Sequence, residues 1–133
     1  MAPIAGVCLQ HIAREADDPH AMALFYQEVL GFHRLETPNF GAMTVIWMSL
    51  PPSHSLHLIG RESKRSTTSR KDPSVLPKSD HLAFRVENYN TAVQLIKDRG
   101  IEIFEKTQQD GKIKQAFFYD PEGNGIEIGN WPA

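Results

Sequence analysis

Apolar residues along this chain recur with two different periods, and the changes of period mark its elements. Residues 7–14 are short and mostly apolar and read as a strand. Asp18 followed by Pro19 then offers an N-cap and a first helical residue, after which Met22, Phe25, Tyr26, Val29 and Leu30 fall on one helical face. Gly31 ends that helix as a left-handed cap. Three extended stretches follow at 32–36, 42–50 and 55–59, divided by Pro38-Asn39 and Pro51-Pro52. The same order then returns. Residues 81–87 alternate as a strand, Asn90 opens a helix through Ala92, Val93 and Ile96, and Gly100 stops it. Strands at 101–106, 114–119 and 125–130 complete the second copy, with turns at Asp110-Gly111 and 121–124.

The pattern predicts an α+β chain of two modules, each a strand, a helix and three strands, with module one at about residues 7–60 and module two at about 81–131. Residues 61–80 form the linker, which holds six Lys or Arg and three acidic residues without any period. The repeat also carries chemistry. His11 and His81 are 70 residues apart, and so are His57 and Glu127. Imidazole and carboxylate are the side chains that bind divalent metals, so one site shared by the two copies is the expectation.

Strand alternation tests that idea, because successive side chains point to opposite faces of a sheet. Leu82, Phe84 and Val86 make the apolar face of the fifth strand and leave His81, Ala83 and Arg85 on the other. Ile126 and Ile128 oppose Glu127, and Leu56 and Leu58 oppose His57. In the first strand Ile12 opposes His11, although Leu9 and Ala13 share its side. A single strand histidine is more often a solvated or satisfied group than a ligand, and it is the joint placement of the four that favours a metal. His20, His33 and His54 lack such partners and read as solvated.

Composition narrows the class without naming it. The chain has 133 residues, 41% of them hydrophobic, and a formal charge of -2, which gives no basis for bulk nucleic-acid or membrane affinity. A single cysteine, Cys8, excludes an internal disulfide framework and suits a reducing compartment, so a cytoplasmic protein is expected. The opening MAPIAG has neither a basic leader nor a long apolar run, and no signal peptide is expected.

The stretches FYQEVLGF at 25–32 and FFYDPEGNGIEI at 117–128 resemble the signature segments of the vicinal oxygen chelate superfamily, which includes glyoxalase I, fosfomycin-resistance transferases, extradiol dioxygenases and bleomycin-resistance proteins. The likeness covers almost the whole chain. It implies an α+β fold of two βαβββ modules forming a curved mixed-sheet cup, with His11, His57, His81 and Glu127 at the ligand positions of the first, fourth, fifth and eighth strands. It also implies one divalent ion per site, of the zinc, nickel, cobalt, manganese or iron group. In glyoxalase I the eighth-strand carboxylate removes a proton beside a carbonyl to give a metal-stabilised enediolate, a role that falls on Glu127 here. The resemblance therefore implies a lactoylglutathione lyase-like detoxification enzyme for a small α-oxo or hemithioacetal substrate, in which a glutathione adduct is one candidate and a homodimer is expected.

One position departs from that pattern. Glyoxalase I usually carries a glutamate on the fourth strand, where this chain has His57; a neutral ligand leaves the site about one charge more positive and removes one base. The alternatives are a non-catalytic small-molecule binder of the bleomycin-resistance kind and a metal-binding member without glyoxalase activity. Arg85 is a candidate substrate-binding residue through a substrate carboxylate, or else a surface arginine. Trp47 could line an apolar pocket or serve only in the core. Arg61, Lys64, Arg65, Arg70 and Lys71 offer a second anion-holding element, for which simple solvation is the preferred reading.

Overall fold

The computed structural model describes residues 1–52, 54–64 and 72–133, so Arg65, Arg70 and Lys71 of the basic linker lie outside the described residues. The chain is α+β and divides into two compact units, Met1–Arg65 and Ser66–Ala133. Each is built on a four-stranded mixed sheet.

In the first unit β1 (Ile12–Ala16) leads into α1 (Pro19–Leu30), β2 (His33–Arg34), β3 (Val45–Leu50) and β4 (His54–Gly60). The sheet order is β1-β4-β3-β2, with β1 parallel to β4 and the other pairs antiparallel. The helix limits are local in origin. Asp18 accepts from the Ala21 N–H at 3.1 Å, Pro19 occupies the first turn, and Gly31 at φ 76° adopts the left-handed conformation that lets its N–H reach the Gln27 carbonyl. Pro19, Met22, Ala23 and Tyr26 are buried where α1 meets β1, β3 and β4. The first strand starts later than the expected residue 7, which leaves His11 one residue ahead of it. Residues 1–11 are exposed and make no ladder, because apolar composition alone does not supply a pairing partner.

The second unit follows the same order, with β5 (His81–Arg85), α2 (Tyr89–Asp98), β6 (Phe104–Thr107), β7 (Lys114–Tyr119) and β8 (Gly125–Gly129). Asn88, not Asn90, caps α2 by accepting from the Thr91 N–H at 3.0 Å. The strand order β5-β8-β7-β6 repeats the first sheet. A 3-10 helix at Pro73–Lys78, within the segment read from sequence as linker, packs on β7 and β8. Phe117, Phe118, Ile126 and Ile128 are essentially inaccessible, each stabilising the unit by roughly 1.5–3 kcal/mol.

The offset of 70 survives in the hydrogen-bond register. Trp47 faces His57 across β3 and β4 as Phe117 faces Glu127 across β7 and β8, and Ala13 faces His57 as Ala83 faces Glu127. The turn in the DPEGN segment has its own internal cause. Asp120 is buried and accepts from the Glu122 and Asn124 backbone N–H groups at 2.9 Å and from the Asn124 side-chain amide at 2.8 Å. Asp120→Ala would strand these donors and is expected to cost about 2–3 kcal/mol, read as a lower denaturation midpoint at unchanged slope.

Candidate functional site

In the second unit β5 and β8 lie side by side and in parallel, which brings His81 and Glu127 together. His81 Nδ1 lies 2.7 Å from the Ser79 carbonyl and 3.0 Å from that of Leu76. Carbonyl oxygens only accept, so Nδ1 carries a proton and the ring turns its Nε2 edge away from them. That atom is 3.8 Å from Glu127 Oε1. A histidine whose far nitrogen is tied to backbone carbonyls is held in the tautomer and orientation that metal ligation requires.

Glu127 is only 5% exposed, which is unusual for a carboxylate. Two glycines on its own face explain how it is covered. A Cβ on Gly125 would stand 2.4 Å from Leu76 Cδ2, and one on Gly129 would stand 2.6 Å from the Trp131 ring. Leu76 and Trp131 therefore occupy the space on either side of the carboxylate where side chains of the strand would otherwise be, and Phe117 lies beside it on β7. Burial raises the Glu127 pKa above the ordinary glutamate value, against the opposing pull of His81, the Gln115 amide and Lys106. Sequence reasoning passed over Gly125, Gly129, Gln115 and Trp131. The signal was present in the alternation GIEIG, with glycine on both sides of one acidic residue at the strand period.

The first unit brings its own pair together. The His11 and His57 rings stack at 4.0 Å between centroids and 14° between planes, and Trp47 stacks on the other side of His57 at 4.7 Å and 10°. His57 is thus sandwiched between an imidazole and an indole. The Gln10 side-chain oxygen meets His11 Nδ1, which leaves His11 Nε2 free to act as a donor atom. A pocket of about 240 Å³ opens beside this stack, lined by Leu9, Gln10, His11, Ile12, His54 and Ser55. Trp47 is half-buried and packs on His57 and Phe40.

His57 has its pKa lowered, first by burial and then by the neighbouring His11 charge. The native state therefore binds fewer protons than the unfolded chain near the ordinary histidine value, and this contribution to stability is lost as pH falls through that value. By NMR titration His57 is expected to protonate below an ordinary histidine, and His11→Ala should move its midpoint upward while the burial under Trp47 persists. An unmoved midpoint would mean that the two imidazoles do not sense each other.

Arg85 is exposed on the same face of β5 as His81, and no hydrogen bond or ion pair engages it among the described residues. Arg61 is different. Its Nε donates to Asp17 at 2.9 Å and its guanidinium also reaches the Glu15 carbonyl at 3.3 Å, so it is held by acidic neighbours at the end of β1. Lys64 is exposed. Among the described residues no three His, Cys, Asp or Glu side chains gather as a group able to hold a metal ion; the candidate ligands occur as one pair in each unit. No helix among the described residues is long and apolar enough to cross a membrane.

The model of the Glyoxalase/Bleomycin resistance protein/Dioxygenase superfamily matches residues 9–128, nearly the whole chain and both pairs. The chain belongs to this superfamily. A curated relative, "Glyoxylase I 4" of Arabidopsis thaliana, is 26% identical over 130 residues, which cover 96% of this chain and 73% of that protein. Among solved structures, a glyoxalase/dioxygenase from Nostoc punctiforme is 28% identical with a TM-score of 0.72, over 100% of this chain and 97% of that one. A glyoxalase family protein from Enterococcus faecalis is 25% identical with a TM-score of 0.71, over 96% and 100%. The superfamily includes glyoxalases, dioxygenases and resistance proteins, so membership accounts for the duplicated βαβββ order and leaves the reaction to the side chains.

Proposed function

We propose that this superfamily member is a glyoxalase I-like lyase or isomerase, acting on a small α-oxo or hemithioacetal substrate with Glu127 as base. The observation that carries the reading is the pairing in the second unit: a histidine tied by Nδ1 to backbone carbonyls turns its Nε2 toward a desolvated carboxylate. The two pairs, His11 with His57 and His81 with Glu127, serve one divalent cation in this reading, and a homodimer belongs to it. The donor set fits such an ion, since His11 and His81 each have Nδ1 engaged and an Nε2 that makes no hydrogen bond among the described residues, and burial favours the neutral form of His57. A bound cation there supplies Lewis acidity to a substrate oxygen.

The protein's own residues do the rest. Glu127 takes the proton from the carbon next to the substrate carbonyl, and its raised pKa makes it a stronger base than an exposed carboxylate. Trp47 beside His57 and Phe117 beside His81 limit water at each pair, while Arg85, which makes no hydrogen bond or ion pair among the described residues, offers a place for a substrate carboxylate. The name of the Arabidopsis relative supports the assignment to glyoxalase chemistry.

The direct test is turnover of methylglyoxal with glutathione by metal-stripped protein, with zinc, nickel, cobalt, manganese and iron(II) added back singly. Restoration by at least one metal is expected. A second reading, a metal-binding member that does not turn over glyoxalase substrates, is favoured by His57 standing where a glutamate is usual. Tight metal binding with no turnover in any of the five arms would select it, and no metal binding at all would leave the small-molecule binder.

A further inference from the structure

Glu127 is held by more than its burial. The Gln115 side-chain NH2 donates to Glu127 Oε1 at 3.0 Å, and the Gln115 side-chain oxygen Oε1 accepts from Gln108 Nε2 at 2.6 Å. The two bonds run in series. Gln115 lies on β7 directly across from Gly129 of β8 and Lys106 of β6, on the same sheet face as Glu127. The Gln115 side chain reaches diagonally to the next row, where Glu127 stands.

We propose that Gln115 and Gln108 are positioning residues that aim the Glu127 carboxylate. An amide has two faces of opposite character, and only one orientation of Gln115 satisfies both neighbours. Turned over, its oxygen would face the carboxylate oxygen and its NH2 would face the Gln108 NH2. The carboxylate only accepts and so selects the orientation of Gln115; Gln108, donating to the remaining amide oxygen, holds Gln115 in that orientation, and Gln115 fixes which oxygen of Glu127 is occupied. Oε1 accepts the amide bond, while no hydrogen bond is made to Oε2 among the described residues. The carboxylate is left with one oxygen restrained and one available, which favours attachment to a cation through a single oxygen. Each bond polarises the next, so the effect of the outer glutamine is transmitted to the carboxylate. The function of this relay rests on the metal reading above; its geometry does not.

The experiment is cobalt(II) titration of wild type, Gln115→Leu and Gln108→Leu, followed by calorimetry and by visible absorption, with thermal unfolding of each variant recorded alongside. Gln115→Leu is expected to weaken cobalt binding by about 10–100-fold and to change the intensity of the cobalt absorption, as both carboxylate oxygens become available. Gln108→Leu, at an exposed position, is expected to fold normally and to move both readouts the same way by less. Lower thermal stability with the wild-type cobalt spectrum and affinity in both variants would overturn the relay and leave a structural role. If wild-type protein binds no cobalt, the metal reading fails, and the side-chain amide protons of Gln115 decide the relay by NMR. Shifted, slowly exchanging amide protons that revert toward free-glutamine values in Glu127→Leu support it. Free-glutamine values already in the wild type overturn it.

Discussion

Glu127→Gln is expected to slow proton exchange at the substrate carbon by about 100- to 10,000-fold, the range that a positioned base contributes. The same change should raise the stability of the metal-free protein at pH 7 by roughly 1 kcal/mol. Both effects have one origin. The carboxylate is buried between Leu76 and Trp131, which raises its pKa and strengthens it as a base, but the folded chain must then hold a charge out of water. The native state binds the proton more tightly than the unfolded chain does. Stability therefore declines as pH rises from the ordinary glutamate range through the raised value, and above that the cost is fully present. Glutamine removes the charge and still offers a carbonyl oxygen to the Gln115 amide. Deuterium incorporation from solvent measures the first effect, and denaturation at pH 4 and pH 7 measures the second. The two proteins should converge in stability at the lower pH. Exchange at the wild-type rate would take the base away from Glu127, and an equal or lower stability at pH 7 would contradict the burial argument.

Gly125→Ala is expected to cost about 1–3 kcal/mol of stability, the range for an added methyl in a filled space. It should also weaken metal binding by about 10–100-fold. The added carbon would meet Leu76 Cδ2 at 2.4 Å and the Asp80 carbonyl oxygen at 2.8 Å. Neither can yield alone. Leu76 is 1% exposed, and the segment from Leu76 to Asp80 also supplies the carbonyls that orient His81. Displacing it loosens the histidine without touching either proposed ligand. Adding Leu76→Ala in the same chain should return part of the lost stability, because the contact with Cδ2 is relieved while the backbone oxygen remains. Chemical denaturation and zinc calorimetry on the three proteins check both effects. A single variant as stable as wild type, with unchanged zinc affinity, would show that the 3-10 helix does not set the position of His81.

The sequence order of elements proved legible where the determinants are neighbours in the chain. The Asp18 cap, Pro19 and Gly31 specify α1 through contacts spanning a few residues, and β7 occupies the expected 114–119. The first strand shows the opposite case. Its expected start at residue 7 rested on apolar composition, whereas the ladder begins at Ile12, where β4 supplies partners. The cap of α2 moved from Asn90 to Asn88 for a similar reason: both residues can cap, and the choice follows the bond that Asn88 makes to Thr91. The 3-10 helix in the linker was not legible, because a six-residue segment containing two prolines is stabilised by packing on β7 and β8 and not by its own propensity.

By itself, the chain's pattern of side chains determined the duplicated βαβββ order, the offset of 70 that the register preserves, and the four residues worth suspecting. These depend on period, caps and turns, which act over short distances along the backbone. Only the tertiary structure decided that His57 lies between two aromatic rings, that Nδ1 of His81 is occupied by Leu76 and Ser79, and that Glu127 is buried and held by Gln115. The physical reason is that protonation and orientation are set by what surrounds a side chain, and those surroundings come from strands brought together across the sheet.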